Sequence, residues 1–464
     1  MNLIKQYNKF ANTINPNLRK ALTSATGSGE ALVPQKLEQI ITNTVIRLDP
    51  MFAFIQPDFD AQKLHEFNRV TSLGAGGGAM GENATTPTLP TSYQRASRSL
   101  KVVRRKGAVT NFLQDASNKY VDAAAVEMEN VLRAHVYDLG YYALFGNELA
   151  NPYEFSGVNA YVSTNRQSGF TSGAATVPTS LKFLDDMIDK SNRSGGVRHK
   201  RVFYMTPEML SKVSQLLTNV RLQQGVGNLA EVEVAGGWRL NAYRGIPIVE
   251  STYMSGAGAG TMGTVTATSA GTTGGNFSDG THYFRIAYFD QFGESMASAE
   301  SSVVLSGGTA TQRINLAFTD VPSAYSYLVY YGGTSTGLAT MVPIKMASAQ
   351  SYDGNGTPGA RITSIGITSS TRDATIPAGW ATDKPLTAVS TVPAEMIYLQ
   401  DVDKYQGLGK FAFTHSGGNK MDGLVSISQL AITDDFLPFL VKTYGALIDS
   451  FEATSVISRG WRVA

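Results

Sequence analysis

Apolar positions along this chain follow helical spacing in some segments and two-residue alternation in others. Val121, Ala124, Met128, Val131, His135, Leu139 and Tyr142 recur at three- and four-residue steps, a continuous seam that predicts one helix over 117–145. Asp115 or Ser117 is suited to cap its start, and Gly146 or Asn147 to end it. At 1.5 Å per residue the predicted helix spans roughly 40 Å, enough to act as a spine. A shorter stripe, Leu37, Ile40, Ile41, Val45 and Leu48, follows Pro34, a residue suited to a helix start. Helices are also predicted over 180–192, with Leu181, Leu184, Met187 and Ile188 inward, and from Thr206-Pro207-Glu208 to about Leu217. Strand-like runs occupy 63–70, 97–112, 201–205, 396–400, 412–415, 424–434 and 452–463. The stretch 238–251 reads as a two-stranded unit turning at Arg244-Gly245.

The pattern changes between 255 and 383. This block is rich in Gly, Ser and Thr, and Lys345 is the only lysine between Lys212 and Lys384. The runs 282–289 and 324–331 alternate and are aromatic-rich, and 301–305 and 313–318 read as short strands between turn signals. Several short strands at regular spacing predict a β-sandwich. Its flanks read as one α+β protein, so the sandwich is an insert that splits a host domain in sequence.

Two host segments are unusual. Residues 1–30 form a polar arm in which Lys5, Lys9, Arg19 and Lys20 precede the first acidic residue, Glu30. It is either a solvated terminus or a basic arm lying on a partner subunit or on nucleic acid. Residues 61–112 read as a long hairpin with a glycine-rich tip. Its second limb carries Arg95, Arg98, Lys101, Arg104, Arg105 and Lys106, with no carboxylate between Glu82 and Asp115. An excursion this long is an edge liability in a monomer and makes sense across a neighbouring copy.

Composition narrows the function. A net charge of +2 argues against a dedicated nucleic-acid reader. Charged residues are only 16% of the chain, so the surface depends on neutral polar groups or on burial against other subunits. Cysteine is absent, which excludes disulfides and thiolate metal sites. No apolar run approaches the roughly 18 residues of a membrane span, and the first residues lack a secretory apolar core. A soluble protein made and used in a cytoplasm is the expectation.

The chemical motifs read as decoys. Gly76–Gly81 and Gly258–Gly263 both match G-x-G-x-x-G, but neither is followed by a helical pattern, which a dinucleotide site requires. His65, His135, His199, His282 and His415 are scattered. Asp185-Asp186 and Asp434-Asp435 point in different directions if helical. Asp58/Asp60 and Asp401/Asp403 share a strand face without a third ligand. No catalytic residue, cofactor or metal is expected.

The aromatic alternation of the insert resembles fibronectin type III and related immunoglobulin-like domains over about 262–375; the absence of cysteines favours the fibronectin-like branch. The host resembles the major capsid proteins of tailed bacteriophages, the Hong Kong 97-type fold. The resemblance rests on Gly29-Glu30-Ala31-Leu32-Val33-Pro34, on Leu-Asn-Ala-Tyr-Arg-Gly-Ile-Pro-Ile-Val-Glu-Ser at 240–251, and chiefly on the order of elements. It implies an α+β chain divided into an N-terminal arm (1–30), the start of a peripheral domain (31–60), an extended loop (61–112) and the peripheral domain with its spine helix (113–180). An axial domain follows (181–254 and 384–440), split by the inserted sandwich (255–383), before a return to the peripheral domain (441–464). It further implies a structural, non-enzymatic protein that self-assembles into pentamers and hexamers of an icosahedral head around double-stranded DNA. Arg95, Arg98, Lys101, Arg104, Arg105 and Lys106 would contact neighbouring subunits, as would the arm with Lys5, Lys9, Arg19 and Lys20. Lys101 and Lys106 are formal candidates for a crosslink, which relatives without one make the less general case. About thirty residues ahead of the first helix leave no room for a scaffolding segment. A portal is an implied partner, with scaffold or decoration proteins, non-specific contact with packaged DNA, and a host-surface glycan through the insert as further options. The location implied is the virion capsid, assembled in the host bacterial cytoplasm. The insert would project outward on flexible linkers, so shells are expected to survive its deletion. The competing readings are an encapsulin-type compartment shell, a surface adhesin or glycan-binding protein acting through the sandwich, and a hydrolase with an accessory β-domain.

Overall fold

The computed structural model describes residues 56–59, 63–74, 79, 81–85, 90–117, 122–171, 174–195, 200–222, 230–234, 238–254, 260–308, 310–333, 337–386, 395–402, 408–413, 426–430 and 435–463. The basic arm, the stripe Leu37–Leu48 and most of the first glycine cluster lie outside them. The chain is α+β.

The spine helix is Ala123–Phe145, roughly 35 Å long at 1.5 Å per residue. It starts later than predicted, after a separate short helix, Asn111–Ser117. The cap is Asp122, whose Oδ1 accepts the Ala125 amide at 3.1 Å. Gln114 holds that cap, donating to Asp122 Oδ1 and accepting the Ala124 amide, both at 2.9 Å. Gly146 ends the helix as expected, but with φ −51°, so left-handed freedom is not the reason for glycine. The reason is space: a Cβ there would lie 2.3 Å from the Phe155 carbonyl oxygen. His135, Asp138, Leu139, Tyr141, Leu144 and Phe145 are buried, all in the second half of the helix.

A seven-stranded sheet runs in the order Arg166–Ser168, Val456–Trp461, Glu395–Asp401, Arg201–Met205, Ile246–Glu250, Trp238–Tyr243, Ala230–Val234. Helices Lys182–Arg193 and Pro207–Leu222 cover it through a core of Phe183, Leu184, Met187, Met209 and Val213 against Phe203, Ile248, Ile397 and Val456. Arg244 (φ 51°) and Gly245 (φ 79°) form the predicted turn, and two successive positive φ values match the right-handed strand twist.

A second sheet holds Gln56–Phe59, Leu408–Phe413, Phe436–Asp449 and Ser426–Gln429. Lys101–Thr110 pairs along the other side of Phe436–Asp449, from Thr110↔Phe436 to Lys101↔Gly445. Two expectations need correcting here. The long strand Phe436–Asp449 was not predicted, because Pro438 interrupts its start and its apolar residues do not alternate. Of the predicted strand 424–434, the described residues include the strand Ser426–Gln429, and 424–425 and 431–434 lie outside them. The 97–112 run is two strands, and only Ser92–Ser99 belongs to the hairpin; Lys101–Thr110 is a sheet strand.

The insert contains two sheets. One is Val265–Gly271, Arg313–Phe318 and Ser364–Ile367; the other is Gly293–Glu294, Gly280–Asp290, Ser326–Tyr331 and Val342–Ser348, with Ser301–Leu305 also on Gly280–Asp290. Side chains alternate across a strand, and here both faces of the second sheet are buried. Phe284, Ile286, Tyr327, Val329 and Ile344 point into the insert's own core. Ala287, Phe289, Leu328, Tyr330 and Met346 point the other way, into the core that contains Leu139, Tyr141, Leu144 and Phe145 of the spine. Tyr141 stacks on Tyr325 at 4.1 Å between ring centroids, and Phe145 meets Phe289 at 5.6 Å. Each such aromatic pair is worth about 0.5–1.5 kcal/mol beyond its area. The expectation of a loosely tethered insert is thereby corrected: the insert shares a core with the spine.

A buried ion cluster closes the same junction. Arg459, on the C-terminal strand, donates to Glu294 Oε2 at 2.5 Å and Asp383 Oδ2 at 2.8 Å. Arg166 reaches the same Asp383 oxygen at 2.6 Å, and the Tyr330 hydroxyl donates to Glu294 Oε1 at 2.5 Å. Two guanidiniums match two carboxylates, as burial at this depth demands. Burial raises the Glu294 pKa, and Arg459 opposes the rise.

Candidate assembly surface

The candidate surface is the hairpin Leu64–Ser72/Ser92–Ser99. Its strands pair from Leu64↔Ser99 to Ser72↔Ser92 and, among the described residues, with no other strand. None of its residues is buried. His65, Phe67, Arg69, Ala96 and Arg98 are half-buried and share the inner face, with Phe67 packed on the main core. Outward lie Leu64, Glu66, Val70, Tyr93 and Arg95. Tyr93 is 73% exposed, and Leu73, beside the tip, 83%. An isolated two-stranded hairpin is marginal in water, and its open edges invite pairing with another chain.

The predicted contact residues divide. Arg95 is exposed and, among the described residues, pairs only with Glu66, at 3.3 Å, a surface pair worth little. Arg104 and Lys106 are exposed too, on the sheet strand beyond the hairpin. The other three serve the chain itself. Arg98 lies 4.8 Å over the Tyr161 ring. Lys101 reaches Glu148 at 2.6 Å and the Pro152 carbonyl at 2.8 Å. Arg105 grips Asp138 through two hydrogen bonds, 2.5 and 2.9 Å, which hold its guanidinium pKa above the usual range. Asp138 also accepts the Tyr325 hydroxyl at 2.5 Å, joining the basic strand, spine and insert at one carboxylate. Lys5, Lys9, Arg19 and Lys20 lie outside the described residues.

Sequence reading missed a second exposed apolar patch where the short helix Asn111–Ser117 meets the strand Phe436–Asp449: Phe112 (79% exposed), Leu113 and Phe436. Its signal was an aromatic-apolar pair, Phe112-Leu113, at the end of a basic run. Also missed was a crevice of about 310 Å³ between host and insert, lined by Arg105, Tyr142, Glu154, Tyr325, Tyr352 and Arg361. Burial pushes Glu154 up to about 7, against hydrogen bonds from Asn151 and the Asn147 amide.

The candidate chemical groups are not gathered. Among the described residues no set of three or more His, Asp or Glu side chains forms a metal-binding group. Asp185 accepts the Tyr243 hydroxyl and Arg244, while Asp186 takes Lys182. Asp435 accepts Asn111, and Asp434 lies outside the described residues. Asp60 and Asp403, half of each proposed carboxylate pair, lie outside them as well, as do His199 and His415. His135 is buried against Thr443 at 2.9 Å, and burial lowers its pKa to about 4. His282 bridges the Tyr331 hydroxyl and the Ser278 carbonyl, both at 2.8 Å; His65 is half-buried on the hairpin. The second glycine motif runs into the strand Val265–Gly271, not a helix.

Several solved structures are similar to this chain over nearly its whole length. The capsid of a native GTA particle is 10% identical, covering 94% of this chain and 98% of that one at a TM-score of 0.47. The capsid of cyanophage P-SCSP1u is 10% identical, covering 96% and 98% at 0.46. The holo-SrpI encapsulin complex from Synechococcus elongatus PCC 7942 is 10% identical, covering 94% and 95% at 0.42. No family model and no curated protein matches the chain.

Proposed function

We propose that this chain is a major capsid protein of Hong Kong 97-type fold, forming pentamers and hexamers of an icosahedral phage head. The observation that carries the reading is the hairpin. It pairs with no described strand, buries none of its own residues, and presents Leu64, Val70, Leu73 and Tyr93 to solvent. Such a ribbon gains order by lying on a second copy. The element order supports the same reading: hairpin, spine helix, a sheet flanked by two helices, and a C-terminal return whose strand Phe436–Asp449 pairs with the strand at the hairpin base.

The work is then assembly. A hairpin donated to the next copy is a head-to-tail contact, and such contacts close into rings. Each is weak, and many per subunit together hold a shell. Exposed Arg95, Arg104 and Lys106 serve as intersubunit contacts in this reading, and basic groups facing the lumen offset packaged DNA without reading its sequence.

Electron microscopy of the purified, concentrated protein tests this. Closed icosahedral particles are expected. A uniform monomer that persists with crowding agent, divalent cations and any scaffold protein encoded alongside it would overturn the proposal. Particles filled with an enzyme instead of DNA when isolated from cells would turn it toward a compartment shell.

A further inference from the structure

The crevice of about 310 Å³ where the insert meets the host lies at the small end of the range of small-molecule pockets, about 300–1,000 Å³. It has room for one ring and not for a long chain. Its walls come from three places: Arg105 from the strand Lys101–Thr110, Tyr142 from the spine, and Gln291, Ser323, Gln350 and Arg361 from the insert. No part of it belongs to the hairpin.

The protein itself holds both arginines still. Arg105 gives Nε and Nη2 to Asp138 at 2.5 and 2.9 Å. Arg361 gives Nε to Asp320 at 2.7 Å, and Nη2 to the Val321 and Ala324 carbonyls at 2.5 and 2.9 Å. Among the described residues, the Nη1 of each has no hydrogen-bond partner. A guanidinium fixed along one edge presents its other edge to a ligand with little further loss of rotamer freedom. The Tyr142 and Ser323 hydroxyls and the Gln291 and Gln350 amides also have no partner among the described residues.

These open groups define a ligand chemistry. Cationic N–H groups bind oxyanions, and charge-assisted hydrogen bonds are the strong ones. Hydroxyls and side-chain amides both donate and accept, which matches the hydroxyl groups of a ligand and is wasted on a bare acid. The carboxylates of Asp138 and Asp320 are taken up by the two arginines. Glu154 is the remaining carboxyl at the crevice, 7% exposed, with Oε1 accepting Asn151 at 2.8 Å. Burial pushes it up to about 7, so below that pH it is mostly neutral and does not repel an anion. We infer that the crevice binds an anionic sugar, with its carboxylate or phosphate on Arg105 and Arg361 and its hydroxyls on Tyr142, Gln291, Ser323 and Gln350. The site is a property of one chain and goes beyond the shell reading.

Saturation-transfer NMR titrations of the full chain at pH 6 test it, with glucuronate, glucose 6-phosphate, glucose, acetate and inorganic phosphate as the probes. At least one of the two anionic sugars should saturate the protein, with a Kd on the order of 1 mM; the tighter of the two names the anion. Glucose, acetate and inorganic phosphate should each bind at least about tenfold more weakly, the scale of losing the charge-assisted bonds or the hydroxyl contacts. Tyr142→Phe and the double variant Gln291→Ala/Gln350→Ala remove polar groups the fold does not use, and each should weaken binding about three- to tenfold. Ser323→Trp, at an exposed position on the rim, should fill the crevice and abolish binding. Failure of both anionic sugars to saturate, equal binding of glucose or of a bare anion, or binding unchanged in Ser323→Trp overturns the inference. If Ser323→Trp does not fold, Tyr142→Phe decides, and unchanged binding there overturns it as well.

Discussion

Replacing Arg459 by methionine keeps the length of its stem and deletes its charge. The guanidinium is buried, with side-chain exposures of 2% for Arg459, 0% for Glu294 and 7% for Asp383. After substitution Asp383 keeps Arg166 at 2.6 Å, but Glu294 keeps only the Tyr330 hydroxyl. One buried carboxylate is left unpaired, a change that costs about 3–5 kcal/mol. A domain's whole stability is about 5–15 kcal/mol, so the loss should be plain in denaturant unfolding. Trp380 is a suitable fluorescent reporter. It is fully buried, 5.9 Å from Phe289 of the insert, and its indole donates to the Asn159 carbonyl of the host at 2.8 Å. Adding Glu294→Gln removes the stranded charge while preserving an acceptor for Tyr330, so the double variant should recover at least half of the loss. A loss below about 1 kcal/mol in Arg459→Met, the scale of a solvated surface pair, would refute the buried cluster and with it the docked insert.

Deleting 255–383 removes Phe289, Leu328, Tyr330 and Trp380 from the main core and both carboxylate partners of Arg459. We predict insoluble protein on expression, reversing the outcome expected from sequence; a soluble, shell-forming deletion would show that the two cores are separable. Burial raises Glu154 from 4.5 to about 7, so the folded state holds its proton longer than the unfolded chain. The stability this contributes is complete below pH 4.5 and is lost as pH rises to about 7, at most about 3 kcal/mol. Glu154→Gln should flatten that decline in unfolding curves taken across this range, and an unchanged slope would count against the assignment. Tyr93→Asp and Leu73→Asp should abolish particles in electron microscopy while shifting monomer stability by no more than about 0.5 kcal/mol; intact particles from both would exclude the hairpin as an assembly contact.

Much of the fold was legible because local rules and tertiary packing agreed. Arg201–Met205 is apolar and short, and it is a central strand. Pro207 starts a helix, and Arg244-Gly245 makes a hairpin turn. Legibility failed where a segment's role depends on what comes from afar. Phe436–Asp449 lacks a period because strands lie on both sides of it and the spine covers it. The basic run 95–106 reads as one feature, yet Asp138, Glu148 and Tyr161, distant in sequence, claim three of its six cations. The missing partner was visible only for Arg95, whose Glu66 lies on the facing strand.

The two-faced strands of the insert divide it into tiers with different freedom to change. Ala287, Phe289, Leu328 and Tyr330 of Gly280–Asp290 and Ser326–Tyr331 share a core with the spine helix, so this sheet must vary in step with the host. The outer sheet, Val265–Gly271 with Arg313–Phe318 and Ser364–Ile367, answers only to its own core. Foreign peptide grafted beside the outer turn at Gly307-Gly308, with both glycines kept because Gly307 has a φ of 84° and a Cβ at Gly308 would lie 2.5 Å from the Gln312 side chain, would ride on the tier the host does not read. The same graft at the inner strands would be felt as far away as the C-terminal Arg459.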